Sequence, residues 1–357
     1  MPRIVHNKHY LPFGFRFISF GRKRPAPNTP KLSLSKYLKT ANLPAPPASC
    51  DYTAKASSAL SQMYLNDQLG DCVIAGGYHV VGTETGNATG TPFVATQAQI
   101  IADYSAIGGY VPGDPATDQG CDEPTALNYW TTHGFADGTK LTAWLAVDAT
   151  NQTEIMQAMY LFENLFFGLE LPDAWINPFP SASGFVWNDG TPDPNNGHCV
   201  VGVGYNSQGV QIDSWGMIGT ITWAAVEHLC TEAAGGELYV LLTPDQLAKG
   251  QTVAPNGVAW SDLIADFNAM GGNVPVPAPA PAPAPTPPPA PTPPTPPAPT
   301  PPSPSPSPNP PPAPTPVPPQ PVPVVVTLQE AIAWAAKGLT EHWPTHQTCP
   351  YCHKIIK

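Results

Sequence analysis

Hydrophobic and polar positions change their period part-way along the chain. The run Cys72-Val73-Ile74-Ala75-Gly76-Gly77-Tyr78-His79-Val80-Val81 is apolar nearly all round, which predicts a central buried helix in the segment from Ser57 onward. Its two glycines weaken the helix and would let neighbours approach closely. Apolar spacing predicts further helices over Thr96–Ile107, over Pro124–His133 behind the acids Asp122 and Glu123, and over Asn151–Glu163. Then the pattern turns β-rich. Leu165–Leu171, His198–Tyr205, Gly209–Trp215 and Glu237–Thr243 predict strands, and Trp223–Ala233 predicts one more helix. Helices first and strands later predict an α+β fold.

Outside this body the periodicity fails. The first forty or so residues mix Pro, Lys, Arg and aromatics without a steady period, so an extended arm or a prosegment-like wrap is expected, with one short helix over Lys31–Leu43. Between Pro275 and Pro323 stand 29 prolines, a polyproline II spacer that cannot hold a core and would span roughly 150 Å at about 3.1 Å per residue. The expected organisation is therefore an arm (1–50), a folded domain (51–274), a proline-rich linker (275–323) and a small tail (324–357), where Thr327 caps a short amphipathic helix. No run of eighteen or more apolar residues occurs, so no membrane span is expected.

The formal net charge of -11 hides an asymmetry. Residues 1–50 hold nine Lys or Arg and no acid, whereas residues 51–274 hold three Lys against 24 Asp or Glu, a balance of -21. Such an arm either lies across its own acidic body, the reading preferred here, or contacts nucleic acid. Met1–Lys8 lacks the continuous apolar stretch of an export signal, and seven dispersed cysteines do not form a disulfide framework. A reducing compartment is expected, cytoplasmic or virion-associated, in which the sequons at Asn87 and Asn151 carry no weight.

The chemistry-bearing residues lie in two segments. Asn66-Asp67-Gln68-Leu69-Gly70-Asp71-Cys72 ends on a cysteine that opens the apolar helix, where the helix N-terminus can lower a thiol pKa from about 8.5. Asn196-Gly197-His198-Cys199 begins a strand, and Asp213-Ser214-Trp215-Gly216 ends the next one, so Asp213 could accept from His198 and hold its tautomer. Cysteine early, histidine late and an acid before Ser-Trp-Gly is an order that resembles the papain-like cysteine peptidases over residues 57 to about 243.

That resemblance implies a helical subdomain packed on an antiparallel, β-barrel-like subdomain. It also implies Cys72 as nucleophile, His198 as base, Asp213 as its orienting partner, and Asn66 or alternatively Gln68 as oxyanion donor beside the Cys72 amide. Gly70 and Trp215 match the family's glycine before the nucleophile and its shielding tryptophan. The stretch is also similar to a group of largely uncharacterised bacterial and phage proteins that carry Asn-Asp-x-Leu-Gly-Asp-Cys, an Asp-Gln-Gly loop before Tyr-Trp, and Gly-His followed by Gly-Tyr and Trp-Gly. Three positions depart from the papain pattern: Asp71 opposes a neighbouring thiolate, Asp213 replaces asparagine, and Val73 replaces an aromatic.

The expectation is a papain-like cysteine peptidase or amidase acting on a peptide or protein substrate, without metal or cofactor. Its rival is an inactive papain-fold binding or structural protein, a component of a phage particle or surface assembly. Cys199 should point away from His198 into the core, and Cys50, Cys121 and Cys230 have no ligand-spaced partners. Asp114, Asp118, Asp122 and Glu123 read as caps more than as a cation site. In the tail, Cys349-Pro350-Tyr351-Cys352-His353 with His342 and His346 matches haem-attachment, dithiol and zinc patterns; an unstructured terminus is preferred, and the tail is a candidate assembly contact.

Overall fold

The computed structural model describes residues 10–11, 14–15, 18–39, 42–43, 45–244 and 258–269. The proline tract and the cysteine-containing tail lie outside the described residues. The fold is mixed α+β, built on one eight-stranded sheet. In chain order its strands are β1 (Cys50–Asp51), β2 (Ala143–Ala146), β3 (Leu165–Glu170), β4 (Val186–Trp187), β5 (Gly197–Tyr205), β6 (Gly209–Ser214), β7 (Met217–Thr222) and β8 (Glu237–Leu242). They lie in the order β2-β8-β3-β5-β6-β7-β4, with β1 alongside β5. Every pairing is antiparallel except that of β4 with β7.

Period-two alternation splits the sheet's side chains between two cores. Phe167, Val200, Ile212, Val240 and Leu242 face a core shared with α5 (Gln152–Phe162), α7 (Trp223–Leu229), α8 (Trp260–Ala269) and the arm residues Ile18, Phe20, Leu34 and Tyr37. Phe166, Cys199, Val201, Tyr239 and Leu241 face the other core, built by α1 (Ser57–Leu60), α2 (Cys72–Thr89), α3 (Gln97–Gly108) and α4 (Glu123–Thr132). A short α6 (Asp173–Ile176) follows β3.

Helix α2 is the element that positions the site. It begins at Cys72, is buried continuously to Glu84, and stops at Gly90 with φ +79°. Gly76 and Gly77 allow its contacts: a Cβ at Gly76 would stand 3.0 Å from the Phe166 ring, and one at Gly77 would stand 2.7 Å from Phe135. A helix without a polar face follows from burial between the sheet and the other helices.

The helices expected over Thr96–Ile107, Pro124–His133 and Asn151–Glu163 are present within a residue or two, with Thr96, Asp122 and Asn151 as side-chain caps, whereas the central helix runs past Val81 to Thr89 and Ser57–Leu60 is a separate short helix. Three further segments differ. Within Lys31–Leu43 the described residues form a 3-10 turn at Leu34–Lys36 in place of an α-helix. The strand expected to reach Trp215 ends at Ser214, because Trp215 (φ +53°) and Gly216 (φ +70°) form a two-residue turn between the paired Ser214 and Met217. Trp223–Ala233 divides into α7 and a 3-10 turn at Glu232–Ala234. Among the described residues no helix is long and apolar enough to cross a membrane.

Candidate active site

Cys72, Asn66, His198, Asp213, Ser214, Trp215 and His79 line one cavity of about 10 Å³, room for a single water. The two sequence segments singled out for chemistry therefore meet, the first from the start of α2 and the second from β5 and β6. Cys72 is 2% exposed and His198 1% exposed.

His198 is held on three sides. Its ring stacks on Trp215 with centroids 4.1 Å apart and planes at 12°, the Phe20 ring meets it edge-on at 6.1 Å, and Nε2 lies 2.9 Å from Ser214 Oγ. Nδ1 is buried without a hydrogen-bond partner. The left-handed backbone of Trp215 is tolerated because the turn requires it, and that conformation lays the indole against the imidazole. Burial alone pushes the His198 pKa down to about 3, so the ring is neutral.

The Asp213 carboxylate was expected on His198, and it lies instead beside His79 of α2. Asp213 Oδ2 is 3.0 Å from His79 Nδ1, yet both carboxylate oxygens and that nitrogen lack an aligned hydrogen bond, so the contact is one of distance only. Strand parity is the cause. Val201 pairs with Asp213 and Gly202 with Ile212, but the register shifts by one residue before Gly204 pairs with Gln211. A one-residue shift exchanges the two faces of a strand. Asp213 consequently shares the α2 side with Val201, and Ser214 takes the His198 side. Burial raises the Asp213 carboxyl well above the usual range and lowers His79 to about 3.

Asn66 is buried, with Nδ2 3.3 Å from Asp71 Oδ1, 3.3 Å from Leu69 O and 3.5 Å from Ser19 O. Gln68 is exposed, reaches only Asp67, and lines a separate cavity of about 220 Å³, so Asn66 is the amide at the site. Asp71 does not cap α2; burial raises its carboxyl well above the usual range, and a neutral acid opposes the adjacent thiolate less than a carboxylate would. Gly70 N donates to Asp118 Oδ1 at 3.0 Å, which ties the residue before Asp71 to the acidic loop. Asp122 caps α4, and Asp114 caps a 3-10 turn.

Over all of this lies the arm. Ser19 N bonds Asn66 O at 3.4 Å, Cys121 N bonds Gly21 O at 3.0 Å, Arg22 N bonds Gly197 O at 3.1 Å and Lys23 N bonds Cys121 O at 3.0 Å. Arg22 is buried, with Nε 3.1 Å from Glu123 Oε2 and a terminal nitrogen 2.5 Å from Glu237 Oε1; Arg24 pairs with Glu170. Arginines of the basic arm thus serve the acidic body. Burial pushes the Cys72 thiol up to about 12, opposed by backbone hydrogen bonds from Cys199 and from Gly21 of the arm. Buried in this way, the Cys72 thiol and the His198 imidazole are both neutral.

Three of the solved structures similar to this chain illustrate the likeness. One is xylellain, a cysteine protease from Xylella fastidiosa, at 14% identity and a TM-score of 0.49, covering 68% of this chain and 99% of that one. Another is digestive procathepsin L 3 of the Tenebrio molitor larval midgut, at 14% identity and 0.43, covering 61% and 76%. A third is a cysteine protease of Carica candamarcensis, at 15% identity and 0.38, covering 55% and 98%. These neighbours are papain-like cysteine proteases. No protein-family model matches the chain, and no curated protein does. All three TM-scores lie below 0.5, so the chemistry rests on the side chains described above.

His79 and Arg22 carry no motif of their own, and Ser214, although inside the Ser-Trp-Gly motif, carries no signal that its hydroxyl reaches His198 in place of Asp213. Ser214 could be found only by knowing the hairpin register, and Arg22 only by asking which acids in the body lack a cation.

Proposed function

We propose that this chain is a cysteine-nucleophile hydrolase of the papain-like type, acting on a peptide or amide bond and resting closed beneath its own arm. The observation that carries the reading is His198: a buried imidazole with Nε2 on Ser214, its plane set by Trp215 and its Nδ1 unpartnered, in a residue that lines one small cavity with Cys72 and Asn66. When the arm moves aside and water enters, the Cys72 proton passes to His198 Nδ1 and the thiolate attacks the substrate carbonyl carbon. The oxyanion is held by the Cys72 backbone N–H and by Asn66 Nδ2, which loses Ser19 O as a partner once the arm leaves. His198 then protonates the leaving nitrogen, and water, deprotonated by the same ring, hydrolyses the thioester. Ser214 holds the ring; Asp213 acts at one remove, beside His79.

Cys72→Ala is expected to abolish turnover of a peptide substrate library, by a factor on the order of 10³ or more, with unchanged thermal unfolding. Unchanged turnover would remove the nucleophile from the mechanism. One observation favours the second reading, an inactive papain-fold binding or structural protein in a phage particle or surface assembly: the arm fills the site and leaves Cys72 and His198 without access. That reading expects no turnover in any variant that releases the arm.

A further inference from the structure

The segment that closes the site is chosen residue by residue. Phe20 is 4% exposed and sits edge-on to both His198 and Trp215, at 6.1 and 6.2 Å. At Gly21 the chain passes between two other glycines: a Cβ built there would stand 1.7 Å from Gly70 O, and a Cβ on Gly120 would stand 1.8 Å from Gly21 O. No side chain fits at that point. Arg22 then enters a slot whose walls are again glycine, since a Cβ on Gly168 would stand 2.8 Å from its Nε and one on Gly197 would stand 2.2 Å from its carbonyl oxygen. At the end of the slot Glu123, Glu237 and the Gly235 carbonyl receive the guanidinium, the last at 2.7 Å. The two carboxylates come from separate elements, α4 and β8, and Arg22 is the cation at both. A buried carboxylate pair needs a cation, and a planar fork suits it better than an ammonium.

We infer that this cleft is a recognition site for an extended peptide carrying an aromatic residue, a glycine and an arginine in succession, and that Phe20-Gly21-Arg22 is its built-in occupant. The inference rests on the hydrolase reading only for what would follow binding. Gly70 and Gly120 impose the glycine, Glu123 and Glu237 impose the arginine, and the His198–Trp215 stack receives the aromatic ring. External substrates of the site share this pattern, because they must fill the same slot after the arm withdraws.

The test uses the full chain and the synthetic peptide Ile-Ser-Phe-Gly-Arg-Lys-Arg, the sequence of residues 18–24. Gly21→Ala should expel the arm and raise the iodoacetamide alkylation rate of Cys72 by about tenfold or more, read by peptide mass spectrometry. The free peptide at about 1 mM should restore the slow rate, whereas peptides with alanine for the glycine or glutamine for the arginine should not. If Gly21→Ala fails to fold, Arg22→Gln in the full chain, which removes the cation from Glu123 and Glu237, gives the same comparison through selective slowing of Cys72 by the parent peptide. Equal protection by all three peptides, or by none, overturns the inference. Selective protection without cleavage of any peptide leaves the recognition site standing and overturns the hydrolase reading; cleavage without selectivity does the reverse.

Discussion

Two buried histidines line the same small cavity, one from α2 and one from β5, and they are held in different ways. His198, on β5, has a hydroxyl on Nε2, an indole against its face and an unpartnered Nδ1. His79, on α2, has a carboxylate 3.0 Å from Nδ1 and a tilted Tyr64 ring at 4.7 Å. Burial lowers both to about 3. What separates them is therefore geometry. A neutral hydroxyl and a stacked ring fix the orientation of His198 while leaving Nδ1 open to take a proton, whereas His79 Nδ1, also without an aligned hydrogen bond, faces a carboxylate 3.0 Å away.

The strongest way to break the comparison is to delete each ring. His198→Ala should lower turnover by about 10²- to 10⁴-fold, and His79→Gln by less than about threefold, in steady-state assays of the arm-released chain. Equal losses would mean that both rings serve the thiol. The partners give a smaller and sharper contrast: Ser214→Ala should lower kcat about tenfold, roughly 1.4 kcal/mol, while Asp213→Asn changes it little. The reverse order would restore Asp213 as the orienting residue.

The pH dependence of stability sharpens the comparison further. Each histidine takes a proton near pH 6.5 when unfolded and only near 3 when folded, so the unfolded chain binds more protons across that window. Stability should fall as pH drops from about 6.5 towards 3 in urea titrations followed by tryptophan fluorescence. His79→Gln and His198→Gln should flatten this slope by similar amounts. The raised Asp213 carboxyl acts the other way, its contribution present below about pH 3.9 and lost as pH rises, so Asp213→Asn should steepen the slope. A slope unmoved by all three substitutions would contradict the burial assigned to this cavity.

The sequence shows the site's elements more readily than its contacts. Cys72 at a helix start and His198 on a strand follow from apolar periodicity and from the papain-like order, and Thr96, Asp122 and Asn151 are ordinary caps. The exchange of Asp213 for Ser214 was not legible, because it depends on a one-residue register shift between Gly202 and Gly204 that periodicity does not encode. β2 and β7 were also missed: Ala143–Ala146 is too short to show a period, and Met217–Thr222 alternates through Gly219 and two threonines. The arm's charge pointed to the acidic body, but the burial of Arg22 between Glu123 and Glu237 requires three segments far apart in sequence to meet.

The most direct test of the Cys72–His198 pair is the pH profile of Cys72 alkylation in the full chain carrying Gly21→Ala, with and without His198→Ala. The account expects Cys72 to react far faster than Cys50, Cys121, Cys199 and Cys230 below pH 7 and to lose that advantage with His198. A Cys72 that stays unreactive until about pH 8.5 whether or not His198 is present would contradict it, leaving the fold as a scaffold closed over an ordinary thiol.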